Sequence, residues 1–121
     1  VLGSWHLIMT CLLQHTGLAD NVLDHRLNTR TVYMNPFSRF IYWNMNYHVE
    51  HHMFPMVPYH NLPRLHQLIK HDLPEPNRGF VEGLKEVSFA LKRQLSDPEY
   101  RINKKLPPTA KPYNHHLSDA V

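Results

Sequence analysis

The sequence predicts a mainly α-helical chain that ends in an extended or disordered tail. Residues 1–13 form a predominantly apolar run of helical length. Residues 78–96 place apolar side chains at Phe80, Leu84, Val87, Leu91 and Leu95, and these steps of three and four residues are helical spacing. Residues 98–121 have no periodic apolar face. Strands stay open as an alternative only at residues 29–33.

The first helix has two possible settings. Residues 1–13 are too few to span a bilayer, which takes about 20 apolar residues. The segment also lacks the basic start and the small-residue cleavage site of a signal peptide. It is therefore either a buried core helix or the C-terminal half of a transmembrane helix that begins upstream. Because the first residue is Val1 rather than Met, we expect a C-terminal fragment.

The rest of the chain divides by composition into a polar stretch, an aromatic stretch and two helices. Residues 17–39 are polar and basic, and residues 33–47 are rich in aromatic side chains that suit either a headgroup-level interface or an ordinary core. A short amphipathic helix is expected from about Asn61, followed by the longer helix from Arg78 to Ser96. We expect three parts: residues 1–71, which include the histidine-rich stretch, an amphipathic helix on the cytosolic side at 72–97, and a flexible tail at 98–121.

Composition excludes several classes of protein. The single cysteine, Cys11, rules out an internal disulfide and the Cys₄ and Cys₂His₂ zinc sites. The net charge of +3 is spread along the chain without a long basic run, so we expect no nucleic-acid partner. A mildly basic surface suits anionic lipid headgroups as well as solubility.

Histidine is the unusual component, and three of the 11 form an H-x-x-H-H box at His48, His51 and His52. On a helix His48 lies one turn from both others, and the two adjacent imidazoles diverge by about 100°, which suits a dinuclear metal site. Coincidence in a histidine-rich chain is the competing interpretation. The position of Glu50 does not match zinc-peptidase motifs, and nitrogen ligands alone leave zinc, iron, copper and nickel open.

Histidines outside the box are interpreted as packing or surface residues on the residue pattern alone. These are His6, His25, His60, His66, His71 and the pair His115 and His116.

Several motifs resemble the integral-membrane fatty acid desaturase family. They are L-Q-H-T-G at 13–17, L-N-T-R-T at 27–31, Y-W-N-M-N-Y-H-V-E-H-H at 42–52 and F-P-M-V-P-Y-H-N-L-P at 54–63. The branch that they resemble most is the bacterial rhizopine-catabolism or hydrocarbon-oxygenase-like one. The resemblance implies metal ligands at His15, His48, His51 and His52, and no catalytic residue beyond them. The family's first two histidine boxes are absent from this sequence, as expected of a C-terminal fragment.

The resemblance also implies a function. It predicts a multi-pass membrane enzyme with cytoplasmic histidine boxes, in which two non-haem Fe ions and O₂ desaturate a lipid acyl chain or small aliphatic substrate. Electrons would come from a ferredoxin or its reductase, and Arg26, Arg30 and Arg39 could face headgroups or that partner. Hydroxylation on the same scaffold is one alternative, and a non-catalytic membrane-associated metal-binding module is another. The 121 residues alone are expected to be inactive.

Overall fold

The computed structural model describes residues 4–113 and is mainly helical there, as predicted. Its helices are α1 (Ser4–His15), α2 (His25–Asn28), α3 (Pro36–Ile41), α4 (His48–Met53), α5 (Leu62–Ile69) and α6 (Phe80–Gln94). Short 3₁₀ turns at Tyr59–Asn61 and Lys70–Asp72 flank α5. Among the described residues, none of the helices combines the length and the apolar character needed to cross a bilayer.

Helix α1 and the turn after it pack against α6 where small residues allow a close approach. A Cβ added to Gly83 would lie 2.9 Å from a methyl carbon of Leu13, and one added to Gly17 would lie 2.6 Å from the Cβ of Ala90. Gly17 also has a φ of 78°, a conformation that side chains with a Cβ rarely adopt. The close approach builds a core from Leu13, Val32 and Val87, edged by Met34, Phe80 and Leu84.

The predicted face of α6 is partly wrong. Val87 is buried as expected, but Leu91 and Leu95 are 49% and 88% exposed. The buried face instead includes Gly83 and Ala90. Small residues carry little weight in an apolar pattern, yet only they allow two helix backbones to approach this closely.

Helix α4 packs between α2 and α5, and the segments before it set its position. Asn35 caps α3 by accepting a hydrogen bond from the backbone N–H of Ser38. After α3 the chain turns through Trp43 and Asn44, both at positive φ. The buried Gln14 then ties α1 to this turn, since it donates to the Met45 carbonyl at 2.6 Å and accepts from the Tyr42 hydroxyl at 2.8 Å.

The sequence left open whether the aromatic residues at 33–47 form a core or an interface with lipid headgroups, and the structure divides them between the interior and the surface. Tyr42 and Tyr47 are each 6% exposed and belong to the interior. Phe37, Phe40 and Trp43 are instead exposed on and just after α3. The stretch is therefore part core and part apolar surface.

Residues 98–113 contain no helix or strand, as expected, but they make specific contacts with the helical body. Ile102 forms an isolated parallel bridge with Leu18, and Lys104 pairs with Glu86 of α6 at 2.9 Å. The backbone N–H of Lys111 donates to the Asp72 carboxylate at 2.9 Å. Residues 114–121 lie outside the described part of the chain. At residues 29–33 the structure has no strand, only an isolated bridge between Val32 and Asn77.

Candidate metal centre

Three of the four predicted ligands converge where α1 ends and α4 begins. The Nε2 atoms of His15 and His48 are 2.8 Å apart, and those of His52 and His48 are 3.1 Å apart. One ring nitrogen from each of the three lies within 4.8 Å of the others. The structure therefore brings His15, 33 residues away in sequence, onto the same site as the histidine box.

His51 is beside this trio and not within it. Its ring centroid lies 5.9 Å from that of His48 and 5.8 Å from that of His52. Its Nδ1 atom is buried and has no hydrogen-bond partner within the described residues. Nδ1 of His48 is buried and unpartnered in the same way, so His51 lies next to the trio and keeps a ring nitrogen that is free to bind.

The electrostatics of the site favour neutral imidazoles. Burial, followed by the neighbouring His52, His15 and His51, lowers the pKa of His48 to about 3. Burial, together with His15, His25 and His51, lowers the pKa of His52 to about 4. At neutral pH both rings therefore keep a free lone pair, which is the form that binds metals.

The trio fits a transition-metal ion. Two nitrogens that bind one ion at about 2.1 Å with tetrahedral geometry are roughly 3.4 Å apart. The His15–His48 and His48–His52 separations of 2.8 and 3.1 Å are slightly shorter, and all three nitrogens lie within 4.8 Å of one another. Three imidazoles with no carboxylate and no thiolate suit zinc, copper, iron or nickel better than magnesium or calcium. The donor set thus agrees with the iron that the family resemblance implies, without selecting it.

Arg30 fixes the end of α1 that carries His15. Its side chain is buried, and Nη1 donates to the carbonyls of Leu13 and, at 3.3 Å, Thr16, which are among the unpaired carbonyls at the end of that helix. Its Nη2 donates to Glu86 of α6 at 3.1 Å. A cation at a helix C-terminus is favourable, so Arg30 orients this end of α1.

The expectation that the arginines face headgroups or a reductase is wrong for two of them. Arg30 and Arg26 are each 2% exposed. Arg26 pairs with Asp24 at 2.7 Å and donates to the Lys111 carbonyl at 2.9 Å. Arg39 is half-buried over the ring of Tyr47. Each guanidinium instead holds parts of the chain together.

A buried hydrogen-bonded chain supports α4, and sequence reasoning missed it. Glu50, inside the histidine box, is fully buried and contacts His66 of α5 through its Oε1. Its Oε2 accepts from the Thr31 hydroxyl at 2.6 Å, and the Tyr33 hydroxyl is 2.9 Å from His66 Nε2. A signal existed, because His66 lies four residues after the buried Leu62, on the apolar face of α5.

The other lone histidines differ in their surroundings. His60 and His71 are exposed, which agrees with a surface role. His25 is half-buried, and its ring centroid lies 5.1 Å from that of His52. The side chain of His6 and the pair His115 and His116 lie outside the described parts of the chain.

A groove of about 550 Å³ lies apart from the candidate metal centre, and its lining contains none of the four predicted ligands. It is lined in part by Met9, Met34 and Phe80. The groove is a candidate surface for an apolar molecule.

The comparisons with known proteins assign the chain to a family. No curated protein and no solved structure matches it. The family model described as "Fatty acid desaturase" matches residues 1–83, a range that contains the converging histidines and most of their supports. Because that range covers more than half of the 121 residues, the chain belongs to the fatty acid desaturase family.

Proposed function

We propose that the protein is an O₂-dependent di-iron oxidoreductase that desaturates a lipid acyl chain or a related aliphatic compound. The observation that carries the proposal is the convergence of His15, His48 and His52 inside the range that matches the family. His51, next to the trio, is the fourth ligand. When bound, the irons would supply the activation of O₂ that removes hydrogen from an unactivated C–H bond.

The chain's own residues prepare the site in two ways. Desolvation keeps the imidazoles of His48 and His52 neutral, so they hold no proton that a metal must displace at neutral pH. Arg30 and Glu50 fix the two helix ends that carry the ligands, because each is buried and bonded to a separate element. The ligands that we assign within the chain are His15, His48, His51 and His52.

Membrane association belongs to the same proposal. Phe37, Phe40 and Trp43 are 73%, 82% and 60% exposed, and amphipathic or apolar rings of this kind suit the headgroup level of a bilayer. Ile8 and Leu12, more than half exposed on α1, offer further apolar surface. On the motifs at 42–63 we place the protein near the rhizopine-catabolism or hydrocarbon-oxygenase-like branch, with a ferredoxin or its reductase as donor.

Product analysis tests the reaction. The protein that contains this chain is loaded with iron and supplied with ferredoxin, ferredoxin reductase, NADPH, O₂ and a defined acyl substrate. Mass spectrometry should find a product that has lost two hydrogens, and a product that has gained one oxygen would establish hydroxylation instead. His48→Ala should abolish turnover, whereas His60→Ala, a matched change at an exposed histidine, should not.

Metal stoichiometry separates this proposal from a non-catalytic module. We expect the 121 residues alone to bind metal weakly, to turn over nothing and to self-associate. A chain that stayed monomeric and held one ion tightly would favour the module.

A further inference from the structure

His25 occupies a groove that opens directly onto the candidate metal centre. The groove has a volume of about 250 Å³ and is lined by both His15 and His52. His25, at the start of α2, completes this set of imidazoles, with its ring tilted by 42° to that of His52. No motif links His25 to the histidine box, so only the packing of α2 on α4 brings them together.

The hydrogen bonds around Asn28 determine which nitrogen of His25 is free. The Asn28 amide nitrogen donates to the Val22 carbonyl at 3.0 Å, so the amide oxygen is the atom that faces His25. That oxygen lies 3.3 Å from His25 Nδ1 and can only accept, so Nδ1 carries the proton. In a neutral imidazole the lone pair is then on Nε2. Metal-binding histidines are commonly oriented in this way, by donating the other ring N–H to an oxygen.

The remaining polar groups of the groove are already engaged or are poor ligands. The Asp20 carboxylate, the one acidic group of its lining, pairs with Arg101 at 2.6 Å. The Thr29 hydroxyl donates to the His25 carbonyl at 2.6 Å. Within the lining, His25 therefore offers the nitrogen lone pair that is added to those of His15 and His52.

We propose that His25 is a further metal ligand, binding through Nε2 on the His52 side of the centre. The bound species would be a divalent first-row transition-metal ion that His25 holds together with His52, next to the trio whose ring nitrogens lie within 4.8 Å of one another. This inference rests on the proposed function, since it requires that the trio binds metal. It assigns Asn28 as the residue that holds His25 in the binding tautomer.

Cobalt binding tests the inference without any turnover. Co²⁺ is titrated into the purified chain in detergent, and the visible d–d absorption gives both affinity and ligand field. We expect His25→Ala to weaken Co²⁺ binding by about 10-fold or more and to shift the absorption band. Asn28→Ala should weaken binding less and leave the band in place. His60→Ala should change neither quantity, because that side chain is exposed elsewhere.

A second measurement needs no variant and guards against misfolding. Long-range ¹⁵N–¹H spectra of the histidine rings should assign the proton of His25 to Nδ1 in the free chain. On addition of Zn²⁺, the Nε2 resonance of His25 should move with those of the trio. If metal binding leaves the His25 resonance unchanged, and His25→Ala titrates like the wild type, then His25 is not a ligand. The metal centre formed by the trio would stand. A wild-type chain that binds neither Co²⁺ nor Zn²⁺ would overturn the metal centre itself.

Discussion

Replacing Glu50 by alanine should destabilise the protein more than any single change on its surface. The carboxylate is fully buried and is the acceptor for two buried groups, the Thr31 hydroxyl and the ring of His66. Each donor left without a partner costs about 1–3 kcal/mol. Removing one member of a buried ionisable pair costs about 3–5 kcal/mol in total. We therefore expect Glu50→Ala to lower the free energy of unfolding by about 3–5 kcal/mol.

Chemical denaturation followed by circular dichroism measures this change. A domain of this size has a total stability of about 5–15 kcal/mol, so the denaturation midpoint should fall markedly while the slope stays constant. The matched control is Glu75→Ala, since the Glu75 side chain is 81% exposed and lies 3.6 Å from an exposed arginine. That change should cost less than about 1 kcal/mol.

A double-mutant cycle identifies the source of the loss. His66→Ala in the Glu50→Ala background should cost much less than His66→Ala alone, because the contact between these side chains is already gone. Cobalt affinity should fall with Glu50→Ala as well, since α4 carries three of the predicted ligands. A loss below about 1 kcal/mol, or additive effects of the two changes, would refute the view that this buried pair supports α4.

Three further changes test the supports of the site. Arg30→Ala should lower the free energy of unfolding by about 2–4 kcal/mol, because it removes the hydrogen bonds to the helix-end carbonyls and to Glu86. The control Arg78→Ala, at a side chain that is 82% exposed, should change this free energy very little. Burial opposes ionisation of Glu86, but hydrogen bonds from Asn77 and Lys104 and the charge of Arg30 outweigh it and lower its pKa below 4.5. Glu86 therefore adds stability above pH 4.5 that is lost as the pH falls through its lower folded pKa, and Glu86→Gln should flatten the loss of stability as the pH falls below 4.5. If wild type and Glu86→Gln lose equal stability over that range, the pairing of Glu86 is not a source of stability. Thermal unfolding should show that Gly17→Ala lowers the melting temperature by several degrees, since Gly17 has positive φ and lies against Ala90, while Gly79→Ala, with nothing within 4 Å, should not.

The sequence predicted α1, α4, α5, α6 and the histidine box because these are local patterns, but it did not predict the short helices α2 and α3. The spacing of His48, His51 and His52 is enough to place them at one end of a single helix. His15 joined the predicted set only through family resemblance, because no local pattern links residues 33 apart. The same limit explains why His25 was interpreted as a packing or surface residue, since its neighbour His52 lies on another helix.

Buried polar residues were the other failure of sequence reasoning. Arg26 and Arg30 were expected at the surface, where most arginines lie. Both are buried because helix ends and irregular segments leave carbonyl groups that need donors, and a guanidinium offers five. Glu50 was noted only as a mismatch to zinc-peptidase motifs. Its partner His66 comes from a different helix, so the pair is visible only once α4 and α5 pack together.

Because His15 and His48 lie far apart in the sequence, a metal ion bound by both would also cross-link the chain. An ion bound by both residues would close a loop of 33 residues, much as a disulfide does. Closing a loop of that length removes conformational entropy from the unfolded chain worth about 4 kcal/mol. Occupancy of the site would therefore govern how firmly α1 is tethered to the rest of the protein. Without metal, we expect α1 to detach from the rest of the protein before helices α4 and α5 separate from each other.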